Sequence, residues 1–266
     1  GCGDSDSDGY SDPDGGWFIA NGADSCPSVS GSSSADRSGC PDDDSDGYSD
    51  PDPSGTNGPV WTVTDGADAF TGNATQWVDG DTDTFGDNPS GTFADSCVGV
   101  TGTSDRDRYG CPDTDGDGYS DPSSNWTLAN GADAFISEAT QWRDQDGDGY
   151  GDNDVGITPD SCVTVQGTST ADRYGCLDPD GDTYSSPDGN WTTLQGADGC
   201  PTVAGASSQD RSGCLDDDGD GYSDPDPSGT NGPVWWVSDG ADAFIGDATQ
   251  WVDTDSDGYG DNPTGN

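Results

Sequence analysis

One nine-residue motif, D-x-D-x-D-[GT]-[YF]-[SG]-[DS], recurs eight times along the chain, starting at Asp4, Asp42, Asp79, Asp113, Asp144, Asp178, Asp216 and Asp253. The starts lie 38, 37, 34, 31, 34, 38 and 37 residues apart, so the series of intervals begins again at Asp178. Segments 42–78 and 216–252 differ at only five of their 37 positions, which points to duplication of a multi-unit block. A chain with this period folds as a row of small modules that lean on their neighbours, not around one globular core. The motif divides the chain into the end of a preceding repeat (1–3), repeats at 4–41, 42–78, 79–112, 113–143, 144–177, 178–215 and 216–252, and the start of an eighth at 253–266. Gly1, Cys2 and Gly3 match the end of a repeat, so the first residue is expected to fall inside an array.

Only 27% of the residues are hydrophobic and 43 are glycine, too little apolar side chain for a sizeable core. With 54 acidic residues against six basic ones, the formal charge of -48 would by itself keep the chain disordered. Order therefore requires cations bound at fixed places. The acids are also of one kind: Glu138 is the only glutamate, and there is no lysine and no histidine. A merely solvated acidic surface would mix Asp with Glu, whereas short carboxylates beside tight turns suit a hard cation with oxygen ligands. The same charge excludes nucleic acid as a partner, because phosphates would be repelled. No apolar run approaches the ~20 residues of a membrane-spanning segment.

Within each motif, positions 1, 3 and 5 supply three converging carboxylates: Asp4, Asp6 and Asp8; Asp42, Asp44 and Asp46; Asp79, Asp81 and Asp83; Asp113, Asp115 and Asp117; Asp144, Asp146 and Asp148; Asp178, Asp180 and Asp182; Asp216, Asp218 and Asp220; Asp253, Asp255 and Asp257. Position 6 is Gly, or Thr84 and Thr183, where the turn needs a positive φ. Position 7 would offer its backbone carbonyl, from Tyr10, Tyr48, Phe85, Tyr119, Tyr150, Tyr184, Tyr222 and Tyr259. Position 9 adds Asp12, Asp50, Asp87, Asp121, Asp152, Asp224 and Asp261, with Ser186 the exception. An EF-hand would carry a bidentate glutamate at position 12; none of the eight motifs has an acid there, so no flanking helices are expected. The missing charge is expected from the aspartate of the following G-A-D or D-S-C segment: Asp24, Asp68, Asp95, Asp133, Asp160, Asp198 and Asp242. Magnesium keeps its waters and seldom takes an all-protein cage, which leaves calcium. Eight calcium ions would bring -48 only to -32, so the expected complement is eight or more.

Two kinds of connector join the loops. One carries cysteines 14 residues apart, Cys26 and Cys40, Cys97 and Cys111, Cys162 and Cys176, and Cys200 and Cys214, each pair expected to close on itself as a disulfide. Cys2 stands where the second member of such a pair belongs. In the other connector Phe70 and Trp77, Phe135 and Trp142, and Phe244 and Trp251 take the cysteine positions, so a stacked Phe–Trp pair is expected as the clamp. A further tryptophan stands seven residues before the aspartate of each G-A-D segment (Trp17, Trp61, Trp126, Trp191 and Trp235), as a small hydrophobic plug or as a ligand-binding platform. The dipeptides Asp36-Arg37, Asp107-Arg108, Asp172-Arg173 and Asp210-Arg211 would pair Arg with carboxylates of a neighbouring loop and leave Asp as an extra ligand. Sequons at Asn73, Asn125 and Asn190 are glycosylation candidates, and the Ser/Thr-rich stretches could carry O-linked sugar. Secondary structure should be sparse, with only pieces such as Val60 to Thr64 able to form short strands.

With loop Asp113 to Asp121, D-S-C-P at Asp24 to Pro27 and G-C-P-D at Gly110 to Asp113, the chain resembles thrombospondin type 3 repeats. The likeness covers nearly all the loops; the connectors depart from it by inserted residues, by the tryptophans and by the cysteine-free form. It implies an irregular chain wrapped around a line of calcium ions, more than one per repeat, in secreted or cell-surface proteins. The expected fold is thus an irregular, mostly coil, elongated tandem-repeat rod with few short strands or turns and no large core. The expected role is a structural, extracellular or cell-surface, calcium-stabilised stalk or filament, glycosylated and associating with copies of itself along a fibre. The alternative is an adhesin whose tryptophans bind carbohydrate or protein. An enzyme is not expected: repetition spreads one property along a length, whereas catalysis needs one asymmetric cleft.

Overall fold

The computed structural model describes residues 2–265, and the chain divides into two compact units, Gly1–Ser137 and Glu138–Asn266, each built in the same manner. Nearly everything is coil. Among the described residues, the regular elements are five single turns of 3-10 helix, η1 (Ile19–Asn21), η2 (Val63–Asp65), η3 (Leu128–Asn130), η4 (Thr193–Gln195) and η5 (Val237–Asp239). Five isolated β-bridges complete the inventory, including Asp52 with Trp61 and Asp226 with Trp235. The strand expected at Val60 to Thr64 does not form beyond that one bridge at Trp61. Thr62 donates both its amide (3.1 Å) and its hydroxyl (2.6 Å) to the Asp65 carboxylate, and this cap folds the segment into η2.

Among the described residues there is no apolar core in the usual sense. The buried hydrophobic residues are alanines of the G-A-D segments (Ala23, Ala67, Ala132, Ala197, Ala241) and disulfide cysteines, while Val155 and Leu194 stand 84% and 98% exposed. Four disulfides, Cys26–Cys40, Cys97–Cys111, Cys162–Cys176 and Cys200–Cys214, close loops of 14 residues. Closing a loop of that size stabilises the fold by about 3 kcal/mol in the chain-entropy picture. Cys2 is free and exposed. Inside each disulfide loop a buried serine (Ser33, Ser104, Ser169 or Ser207) accepts the amide of the second cysteine at 2.8–3.0 Å, so polar groups fill the space that side-chain packing would otherwise occupy.

Consecutive repeats meet through two kinds of joint. After a cysteine connector, the amides of Ser34 and Ala35 both donate to the Gly47 carbonyl (2.8 Å each). The Asp36 carboxylate accepts the Ser49 amide (2.9 Å), the Ser49 hydroxyl (2.6 Å) and the Trp61 indole N–H (3.1 Å). The Arg37 guanidinium lies 5.0 Å over the Trp61 ring. Asp107 with Arg108, Asp172 with Arg173 and Asp210 with Arg211 repeat the arrangement on Trp126, Trp191 and Trp235. The expectation that this Asp would be an extra ligand is therefore corrected: three donors occupy it. The Arg lies on a tryptophan, and only Arg173 also forms an ion pair, 2.8 Å from Asp188, which pulls that carboxyl down to about 2.

After a cysteine-free connector the joint is a buried glutamine. Gln76 Oε1 accepts the Asn88 amide (2.9 Å) while its Nε2 donates to the Asn88 carbonyl (3.0 Å); Gln141 and Gln250 make the same pair with Asn153 and Asn262. The tryptophan beside it finds a different partner from the one expected. Trp77 stacks on Tyr48 of its own repeat's loop, centroids 5.1 Å apart and planes 8° off parallel, and Trp251 stacks likewise on Tyr222. The loop tyrosine, not Phe70 or Phe244, completes the clamp, because the Tyr ring already flanks the turn that the connector must cover.

Candidate metal centre

Each loop is shaped by its own aspartates before any cation is considered. The position-6 amide donates to one oxygen of the position-1 carboxylate, as from Gly118 to Asp113 (2.9 Å), Gly221 to Asp216 (2.9 Å) and Gly258 to Asp253 (2.9 Å). The position-7 amide donates to Oδ1 at position 5, as from Tyr48 to Asp46 and Tyr119 to Asp117, both 2.8 Å. Position 9 closes the ring by donating its amide to the carbonyl just before the loop, as from Asp121 to Pro112 (2.8 Å). Position 1 receives amides on both oxygens, as Asp113 does from Gly116 (2.8 Å) and Gly118 (2.9 Å), whereas position 5 keeps an Oδ2 without a donor in the Asp42, Asp113 and Asp216 loops. In five loops the carboxylate oxygens of positions 1, 3 and 5 lie within 4.8 Å of one another: Asp4, Asp6 and Asp8; Asp42, Asp44 and Asp46; Asp79, Asp81 and Asp83; Asp113, Asp115 and Asp117; and Asp144, Asp146 and Asp148. Three more acidic groups of this kind are present among the described residues.

The aspartate of the following segment is folded back onto the same loop. Its amide donates to the position-8 carbonyl at 2.8–3.0 Å in all seven cases: Asp24 to Ser11, Asp68 to Ser49, Asp95 to Gly86, Asp133 to Ser120, Asp160 to Gly151, Asp198 to Ser185 and Asp242 to Ser223. Its Oδ1 accepts the amide two residues on, from Cys26 to Asp24 and from Phe70 to Asp68, both at 2.7 Å. All seven are buried. Where the connector has cysteines, a glycine makes room for the approach. A Cβ on Gly110, at φ +71°, would lie 2.4 Å from Asp95 Oδ1 and 3.0 Å from Asp83 Oδ2.

What remains is a repeated set of buried carboxylate oxygens without a hydrogen-bond donor. They include Oδ2 of Asp24, Asp68, Asp95, Asp160 and Asp198, Oδ2 of Asp6, Asp44, Asp81, Asp115, Asp146, Asp180 and Asp218 at position 3, and Oδ2 of Asp46, Asp117 and Asp220 at position 5. Burial, together with the loop carboxylates beside them, pushes the carboxyls of Asp24, Asp68, Asp133, Asp160 and Asp242 up to about 6 and that of Asp198 up to about 7. Leaving such oxygens unpaired is costly, and a hard divalent cation is the group that would satisfy several of them at once. The donor set is all oxygen and anionic, which fits calcium; the position-1, -3 and -5 aspartates and the folded-back aspartate are the residues placed to hold it.

Position 9 is more varied than the motif implies. Asp12 and Asp121 receive the amide of Ser5 or Thr114 on Oδ1 and its hydroxyl on Oδ2, Asp261 receives both groups of Thr254 on Oδ2, and Asp87 keeps a buried Oδ1 with no donor opposite Gly80. Asp50 and Asp224 face an additional acid at position 2, Asp43 and Asp217. Asp152 accepts the Gln145 amide (3.1 Å) on Oδ1 and pairs with Arg143 at 3.3 Å through Oδ2. A second left-handed residue, at position 4, escaped the sequence reading. Ser7, Ser45, Thr82, Gly116, Gly147, Gly181, Gly219 and Ser256 all have φ between 63° and 82°, and the restriction of this position to Ser, Thr and Gly was the available signal. The two position-6 threonines are forced into the same region, Thr84 at φ 79° and Thr183 at φ 84°.

No protein-family model and no curated protein matches the chain, so the likeness to thrombospondin type 3 repeats rests on the loop and cysteine motifs alone. The four disulfides and the repeated acidic clusters are compatible with a calcium-binding repeat. No helix among the described residues is long and apolar enough to cross a membrane.

Proposed function

We propose that this chain is a structural protein of the extracellular space or cell surface, a calcium-stabilised repeat array that forms a stiff stalk or filament and has no catalytic role. The observation that carries the reading is the regular recurrence of buried, donorless carboxylate oxygens at positions 3 and 5 and on the folded-back aspartate. Cations there would crosslink turns that lack apolar cohesion, in the manner of thrombospondin type 3 repeats, and the spread of donorless oxygens over a loop and its following segment favours more than one ion per repeat. Four disulfides support an oxidising setting. The exposed Asn125 and Asn190 are the sequons best placed for glycan; Asn73 is half-buried, and its Oδ1 accepts the Thr75 hydroxyl (2.7 Å) as the cap of a turn. The adhesin reading has less support, because Trp61, Trp126, Trp191 and Trp235 each carry an arginine on the ring and a bond from the indole N–H to an aspartate.

The test is calcium counting by native mass spectrometry together with small-angle scattering before and after a chelator. Eight or more ions and a clear rise in radius of gyration on chelation are expected. An unchanged radius would sink the scaffold idea, and ordered single chains that never associate under calcium would remove the filament from it.

A further inference from the structure

The Asp-Arg joint touches the next loop at the one peptide whose orientation matters most to a cation there. Asp107 Oδ1 accepts the Ser120 amide at 2.9 Å, and that N–H belongs to the same planar unit as the Tyr119 carbonyl. In a trans peptide the two groups point in opposite directions, so a carboxylate holding the N–H on the connector side turns the position-7 carbonyl away from the connector. It also polarises that carbonyl, since a charged acceptor on the N–H strengthens the oxygen as a donor of electron density. The neighbouring carbonyl is meanwhile withdrawn from competition: Gly118 O receives the amides of both Asp105 and Arg106, each at 3.0 Å. The same pair of constraints recurs with Asp36 on Ser49, Asp172 on Ser185 and Asp210 on Ser223, at 2.8–2.9 Å. The Asp144 loop is built otherwise, its preceding connector offering Gln141, which holds the Asn153 amide and leaves position 8 as Gly151.

We propose that Asp36, Asp107, Asp172 and Asp210 are positioning residues that set the calcium affinity of the loop following them, so that each cysteine connector tunes the site of the next repeat. This rests on the calcium reading above. It makes two classes of site in one chain: loops at Asp42, Asp113, Asp178 and Asp216 with a carboxylate behind the position-7 carbonyl, and loops at Asp79, Asp144 and Asp253 with a glutamine joint. The coupling has a direction, because Asp107 belongs to the Cys97–Cys111 loop and acts on the repeat after it.

The experiment is a calcium titration of the full chain followed by amide NMR, reading Gly118 for the Asp113 loop and Gly149 for the Asp144 loop, with wild type, Asp107→Asn, Asp107→Ala and Arg108→Ala compared. Partners one shell out from a metal typically change its affinity 10- to 100-fold. Asp107→Ala is therefore expected to weaken the Gly118 transition by about tenfold or more, and Asp107→Asn, which keeps an acceptor for the Ser120 amide, by less, with Gly149 unmoved in both. Arg108→Ala breaks the stack on Trp126 and removes a positive charge, so it should not weaken the Gly118 transition. Equal titration of wild type and Asp107→Ala overturns the proposal, as does an Arg108→Ala loss as large as that of Asp107→Ala, which would reduce the joint to scaffolding. A wild-type chain showing no calcium-dependent shift at Gly118 or Gly149 would overturn the calcium reading itself.

Discussion

The loop starting at Asp178 is expected to be the weakest of the eight, for two separable reasons. Thr183 sits at φ 84°, where glycine is the usual occupant, and a β-carbon in the left-handed region costs about 1–2 kcal/mol. At position 9, Ser186 replaces the aspartate found in the other seven motifs, and its hydroxyl is buried with no partner. That substitution removes one formal charge from the cage, and charge count is the main lever on affinity in such loops. The Asp79 loop is an internal control, since Thr84 carries the same strain at φ 79° while Asp87 is kept. Calcium titration read at the position-6 amides of Gly118, Thr84 and Thr183 should rank the loops in that order of affinity. The double variant Thr183→Gly with Ser186→Asp should tighten the last site by about tenfold or more, tenfold corresponding to ~1.4 kcal/mol. If Thr183 and Gly118 titrate together in the wild-type chain, the reasoning from strain and charge is wrong, and a ligand outside the loop makes up the difference.

Gly110→Ala should destabilise its repeat by about 2–5 kcal/mol, combining the left-handed strain with displacement of Asp95 from the Cys97 amide, and thermal melts in calcium would show it; an unchanged melt refutes the close approach. Replacing Cys97 and Cys111 by serine should lower stability by about 3 kcal/mol yet leave calcium bound at the Asp144 loop, measurable by denaturant titration with site-resolved amides; a concerted loss of every site would contradict repeat-by-repeat folding. Carboxyls raised from 3.8 to about 6 or 7, as at Asp24 and Asp198, favour the folded chain when protonated, a contribution complete below the unfolded value and lost as pH rises through the raised one. The chelated chain should therefore expand between about pH 4 and pH 7, and with calcium present the affinity should fall as pH drops through the same window; scattering in chelator that shows no pH dependence counts against it.

The loops were legible in the sequence because their chemistry is local: three aspartates at alternate positions, a turn residue and a fourth acid reveal themselves without a fold. The cysteine pairs were legible for the same reason, each partner lying 14 residues from the other. The joints were not. Asp36 reaches Trp61 across 25 residues, and Gln76 reaches Asn88 across 12, and such pairings are set by how one repeat lies on the next. The expected Phe–Trp pair went astray by the same route, since Trp77 aligns with a cysteine yet stacks on Tyr48, which belongs to the loop. Regularities in the sequence showed that Asp-Arg and Trp mattered; only geometry joined them to each other.

The two joints also restrict which pieces of the array can be duplicated. Position 8 of each loop is matched to the connector before it: Ser49, Ser120, Ser185 and Ser223 follow Asp-Arg connectors and bond to their aspartates, whereas Gly86, Gly151 and Gly260 follow glutamine connectors. The glycines are required by contact, because a Cβ on Gly86 or Gly151 would lie 2.2 or 2.0 Å from the side-chain oxygen of Gln76 or Gln141. Moving one connector alone would set a serine against a buried glutamine, or leave a carboxylate facing a glycine that has no hydroxyl to give it. The tryptophan obeys the same rule, present after the serine loops, where an Asp-Arg pair waits for it, and missing between the Asp79 loop and Cys97. A repeat in this chain is thus defined by its neighbour as much as by its own loop, and a piece can be copied in tandem without breaking a joint only when its first loop matches its last connector, as in the single repeat 178–215 or in the run 4–177.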